Sequence, residues 1–226
     1  SNLLKKNDVK LIYNLVLRVN SLFKNIKTKT NKKEVFYIED DYLWERRHKL
    51  TGWRSKTPNY SLTLGAGIHM IDLIMWFLNS KPIYVTAHGN KKITKNSSFK
   101  KYSLIVYMFE FPNDIIVKIS ANAAGIYEHF HQLKIYEKNK TIEHTFNSKT
   151  NMIYQDRNKI KKKIINGDYP DKINRKKLIR NYLDYILNKK TRLILENREQ
   201  LDLMTACLYA DKSLKLKKKI KIKYLK

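Results

Sequence analysis

Apolar and polar positions alternate in twos through the middle of the chain and take a helical period towards its end. EVFYIEDDYLW (34–44) is rich in β-branched and aromatic residues and predicts a strand. IYVTAHG (83–89) predicts another. YSLIVYMFEF (102–111) and IIVKISANA (115–123) predict a hairpin, joined by the turn-formers Pro112, Asn113 and Asp114. HQLKIYEKN and KTIEHTF (131–146) predict a further hairpin, closed near Asn139. Residues 172–188 and 196–216 have helical spacing; the second stretch opens on acidic residues and ends on lysines, as the helix dipole favours. The final KIKIKYL alternates like an edge strand guarded by charge.

At the other end, residues 3–10 read as the end of a helix and VKLIYNLVLR (9–18) as a strand buried on both faces. Residues 22–29 form a short amphipathic stretch that runs into TKTNKK, where a boundary falls near residue 31. The loop RRHKLTGWRSKTPNY is polar. Gly65-Ala66-Gly67 then opens a helix to about Asn79, stopped by Ser80, Lys81 and Pro82. The fold class expected is α+β: one open, largely antiparallel sheet with helices packed on one face.

Composition bounds this reading. A chain of 226 residues with 42% hydrophobic and 12% aromatic residues can build one substantial domain, with part of another. The longest apolar run, within 67–78, is interrupted by His69 and Asp72 and is too short for a membrane span. SNLLKKNDVK lacks the apolar core of a signal peptide. The single Cys207 excludes an internal disulfide framework and, placed on a helix, reads as a buried apolar residue. A cytoplasmic protein is expected. The net charge of +27 is what a nucleic-acid binder would carry. The lysines, however, are scattered, and come with many Asn, Ile and Tyr and few Gly, Pro and Ala, the profile of a coding sequence rich in A and T. A nucleic-acid partner is therefore not expected; attraction to a polyanion or a phosphate-bearing substrate is the alternative.

The chemistry concentrates in SLTLGAGIHMIDLIMWFLNSKP (61–82). His69 falls in the first turn of the expected helix and Asp72, three residues on, shares its face. Ile68, Ile71, Met75 and Leu78 form an apolar stripe for the core. A histidine at a helix N-terminus stays neutral and able to accept a proton, so His69 is either a general base or a packed residue capping the helix. Trp53 and Arg54 could stack on and clamp a sugar or its phosphate, or be an aromatic plug and a solvated charge. Arg46, Arg47 and Lys49 read as a solvated loop with some steering. His129 and His131, two apart, point the same way if the strand has begun, over a substrate or as half a metal site. No third ligand follows at a usable spacing, and no metal is expected.

The pattern G-x-G-I-H-x-I-D-L-x-x-W, followed by a proline and a strand of type V-x-A-x-G, resembles the C-terminal domain of the Gfo/Idh/MocA oxidoreductases, a dihydrodipicolinate-reductase-like fold. NLVLR (14–18) resembles the last Rossmann strand of that family. DYLWERRHKLTGWR (41–54) and EHFHQLKIYEKNKTIEHTF (128–146) resemble a branch acting on sugars or nucleotide sugars. LMTACLYADKSLKLKKKIKI (203–222) resembles the family's closing helix and basic strand. The resemblance implies a remnant Rossmann domain over 1–30 and a substrate-binding and oligomerisation domain over 31–226. It also implies NAD or NADP as cofactor, His69 as catalytic base beside a lysine, and Asn14 near the cofactor. Arg18, Trp53, Arg54, Asp72, His129 and His131 would lie on a sugar or nucleotide-sugar substrate, and a homo-oligomer would form through the sheet face. Two departures stand out. Neither the G-x-G-x-x-G fingerprint nor the E-K-P lysine motif occurs, so the chain alone is expected to bind no cofactor tightly and to be inactive. The aspartate that many relatives carry four residues before the histidine is Gly65 here, unless Asp72 or a substrate group serves instead. A relative kept as a binding or oligomerisation module is the second reading, and a basic nucleic-acid binder the third.

Overall fold

The structure, a computed structural model, describes residues 6–7, 9, 11–12, 14–146, 151–155, 160–188 and 191–225. Alternation in the middle of the chain becomes strands β1 (Val35–Leu43), β2 (Tyr84–Asn90), β3 (Leu104–Phe111), β4 (Ile115–Asn122), β5 (Phe130–Glu137) and β6 (Lys140–His144). To these the structure adds β7 (Asn151–Gln155), β8 (Lys161–Ile165) and a short β9 (Ile220–Lys221). All nine pair into one sheet in the order β8-β7-β6-β5-β1-β4-β3-β2-β9. Only β1 and β4 run parallel; the other pairs are antiparallel. The β3–β4 turn works because Asn113 and Asp114 take left-handed φ of 62° and 59°, which short polar side chains tolerate best after glycine.

Helices cover one face of this sheet. Helix α1 (Ser21–Lys29) starts on Asn20, whose side-chain oxygen accepts from the Phe23 N–H, and buries Leu22, Phe23 and Ile26 completely. Helix α2 (Ile68–Leu78) is apolar almost all round: the expected stripe is buried, and so are Met70, Leu73, Ile74 and Phe77. Each such side chain stabilises the fold by about 1.5–3 kcal/mol. After α3 (Arg175–Asn188), helix α4 (Asn197–Leu216) opens on a reciprocal capping box between Glu196 and Glu199 and packs Cys207, fully buried, towards α2. Leu15, Leu17 and α1 share a single core with the sheet.

Two expectations are corrected, and a third lies largely outside the described residues. Among the described residues of 9–18 there is no strand; Val16–Val19 form a 3₁₀ turn and Val9 and Ile12 are exposed. A strand needs a ladder partner, and none of the nine strands lies alongside this segment. The helix expected at 3–10 falls mostly outside the described residues. The loop after β1 contains two four-residue helical turns, Arg47–Leu50 and Trp53–Lys56. No helix among the described residues is long and apolar enough to cross a membrane.

Candidate active site

Helix α2 does not begin at the glycines. Helical backbone starts at Leu62 and passes through a π-helical turn, Thr63–Gly67, before α2 proper. Gly67 permits this packing: a Cβ there would meet Tyr107 Oη at 2.9 Å. His69 therefore sits two turns into a helical run, too far in for the N-terminal dipole to govern it. Burial keeps it neutral instead. Desolvation, with His129 adding to it, lowers His69 to about 4 from its ordinary 6.5. Its Nδ1 is buried without a partner.

The sheet brings the other imidazoles to it. Tyr42 on β1 and His131 on β5 are direct partners in the antiparallel register, so both rings stand on the helix-covered face. They stack with centroids 4.3 Å apart and planes at 25°. His129, just before β5, meets the Tyr42 ring edge-on at 5.3 Å and the His131 ring at 5.1 Å. The Tyr42 ring is 6.0 Å from that of His69. One tyrosine thus sits at the centre of three histidines.

Tyr169 fixes the tautomer of His131. Its Oη accepts from the His131 backbone N–H at 2.8 Å and lies 2.6 Å from Nδ1. Burial, reinforced by His69 and His129, holds His131 well below its ordinary value, so the ring is neutral. The tyrosine hydroxyl then donates to Nδ1, leaving Nε2–H as a donor. Burial and the nearby Arg46 lower His129 too. Burial raises the phenols of Tyr42 and Tyr169, which stay protonated. All five rings line a cleft of about 400 Å³, rimmed by Arg46, Arg175 and Lys176. That volume suits a small ligand.

The structure places the sequence-selected residues in two groups. His69, His129 and His131 line the cleft, and the exposed Asn14 stands at its edge. Arg18 and Asp72 do not line it; they bond each other. Arg18 Nη2 and Asp72 Oδ1 are 2.7 Å apart, Nε donates to the same carboxylate, and Nη1 reaches Glu199 Oε1 at 2.8 Å. Both side chains of the central pair are at most 4% exposed. Trp53 and Arg54 also lie outside the cleft lining. The Arg54 guanidinium sits 4.4 Å from the Trp53 ring centroid, and its Nε donates to Tyr60 Oη. Gly65 leaves no room for a carboxylate, because a Cβ there would fall 1.7 Å from Tyr60 Oη. Sequence reasoning missed Tyr42, Tyr169 and Arg175, which carry no local motif and reach the site only through the fold. Among the described residues no group of three or more His, Cys, Asp or Glu is arranged to hold a metal.

The fold and cleft define an open-sheet α+β domain whose histidine-lined cleft lies between the helical layer and the strand ends. Residues 34–143, just under half of the chain, match the model of the GFO/IDH/MocA C-terminal domain, and that stretch belongs to the family. Its structure is similar to a putative NADPH-dependent oxidoreductase from Desulfitobacterium hafniense, with TM-score 0.78 and 18% identity over 97% of this chain and 67% of that one. It is similar to UDP-N-acetylglucosamine 3-dehydrogenase GnnA from Acidithiobacillus ferrooxidans, with TM-score 0.75 and 14% identity over 96% of this chain. It is also similar to scyllo-inositol dehydrogenase from Lactobacillus casei, with TM-score 0.73 and 12% identity over 97% of this chain and 67% of that one. The chain spans 65% of the length of GnnA. No curated protein matches it.

The glycine turn before α2 does not fit the dinucleotide that the family implies. A phosphate cradle needs glycines that leave open backbone N–H groups at a helix start. The space at Gly65 and Gly67 is filled by Tyr60 and Tyr107 of the chain itself.

Proposed function

We propose that this chain is the substrate-side half of a sugar, polyol or nucleotide-sugar dehydrogenase, in which His69 accepts the proton of a substrate hydroxyl. The observation that carries the reading is the cluster of His69, His129 and His131 around Tyr42 at the floor of one cleft. Three neutral imidazoles offer both lone pairs and N–H groups, which is what a ligand made of hydroxyls needs. His131, held by the Tyr169 hydroxyl, directs Nε2–H at a substrate oxygen and orients it. His69, whose Nδ1 is buried, has its other nitrogen free for the reacting hydroxyl. Imidazole-resolved NMR during titration with glucose, N-acetylglucosamine and scyllo-inositol tests this. Binding of at least one should move the His69, His129 and His131 resonances together. If ligands bind and move only signals outside the cleft, the assignment fails.

A role in assembly has its own support. The open sheet face carries the stacked pair Tyr37–Tyr136, with Met108 and Phe36 exposed beside it. A homo-oligomer through this face predicts association in sedimentation that Met108→Lys weakens; a strictly monomeric chain removes the reading.

A further inference from the structure

The cleft is unbalanced in charge. Its imidazoles and phenols are neutral, yet Arg46, which follows β1, and Arg175, which opens α3, both reach it. The two charges converge: each acts on His129 and on Tyr42. Neither guanidinium has a hydrogen bond or ion pair among the described residues. Among the described residues Asp171 is the only carboxylate in the cleft lining, and it is already occupied. Its oxygens accept from the Ser21 N–H at 2.9 Å and from the Asn174 N–H at 3.0 Å, and these bonds hold it at about 2. Lys176 adds a third cation.

Residue type sharpens the point. The chain has 38 lysines and 9 arginines, so a cation placed without selection is a lysine. Of the three cations that act on His129, Lys49 does not line the cleft, and the two that do are arginines, whose planar fork matches phosphoryl oxygens two at a time. Arg54, the clamp suggested by the sequence, is engaged with Trp53 and Tyr60 and cannot serve.

We propose that the ligand of this cleft is a sugar or polyol bearing a phosphoryl group, held between Arg46 and Arg175 while its hydroxyls face His69. This rests on the substrate-side reading given above and narrows it to anionic substrates. It also answers a difficulty of that reading. A histidine held at about 4 is a weak proton acceptor, and an anion bound nearby raises it.

The test compares glucose, glucose 1-phosphate and UDP-glucose on the full chain, by calorimetry and by the His129 resonance. At least one phosphorylated ligand should bind about tenfold or more tighter than glucose, since charge-assisted bonds supply that much. Arg46→Gln/Arg175→Gln should abolish the advantage without moving the thermal midpoint, because neither side chain has a partner to lose. Lys91→Gln/Lys215→Gln, remote from the cleft, should keep it. Whichever phosphorylated ligand binds tighter assigns a monoester or a diphosphate. Equal binding of all three in the cleft overturns the phosphoryl proposal and leaves the substrate-side reading intact. An advantage that survives Arg46→Gln/Arg175→Gln also overturns it, because the anion is then held by surface lysines. No binding by any of the three overturns both.

Discussion

Asp72→Ala should be among the most destabilising single changes in this chain. The carboxylate accepts two to three charge-assisted bonds from Arg18, linking the segment before α1 to α2. With Asp72 gone, the Arg18 guanidinium stays buried and keeps only Glu199, whose side chain is 46% exposed and screened by water. Leaving one partner of a buried pair costs about 3–5 kcal/mol. Each kcal/mol moves the midpoint of a domain this size by about 2–4 °C, so the loss is about 6–20 °C. Replacing both partners by apolar groups of similar size, in Arg18→Met/Asp72→Leu, removes the orphaned charge and should restore most of the stability. Urea unfolding of the two single variants and the double variant, read as a thermodynamic cycle, measures the coupling. A loss below about 1 kcal/mol for Asp72→Ala, the value of an exposed bridge, would refute the reasoning. So would a double variant as unstable as the sum of its parts.

Other consequences concern the cleft. His69 is depressed in the fold, so the unfolded chain takes up protons first as pH falls. The stability His69 contributes is complete above pH 6.5 and is lost towards about 4. Thermal midpoints at pH 7 and pH 4.5 should therefore lie closer together in His69→Phe than in the parent, and parallel drops would contradict the assignment. Gly65→Asp places a carboxylate four residues before His69 but collides with Tyr60 Oη. It should cost about 1–3 kcal/mol, recovered in Gly65→Asp/Tyr60→Ala, and no loss on denaturant unfolding would show that Tyr60 moves aside freely. NADH fluorescence should show no saturable binding to this chain, since Gly65 and Gly67, the glycines that lead into α2, leave no phosphate cradle; tight binding would place a cofactor site elsewhere in the chain.

The sequence made the local features legible. The β3–β4 and β5–β6 hairpins, α2 and α4 follow from periodicity and turn chemistry, because those signals act between near neighbours. The segment 61–82 named the family, and His69, His129 and His131 were picked out and do share a cleft. Features that failed are non-local. Apolarity in 9–18 suggested a strand, but a ladder depends on a neighbour that periodicity does not reveal. NMIYQ and KKKII, which become β7 and β8, carry little alternation, and the edge lysines of β8 mask it further. Asp72 shares a helix face with His69, yet its partner Arg18 lies 54 residues away, and no spacing rule finds it. The neutrality of His69 was foreseen for the wrong reason: burial produces it, while the π-helical turn carries the helix N-terminus away.

The central claim is that a substrate hydroxyl meets His69 in this cleft, and a crystal structure of the chain soaked with glucose 1-phosphate tests it most directly. The account predicts a sugar hydroxyl about 2.6–3.2 Å from the His69 imidazole, with the phosphoryl group on Arg46 and Arg175. A ligand seated instead on the Trp53–Arg54 stack, with His69 unreached, would contradict it.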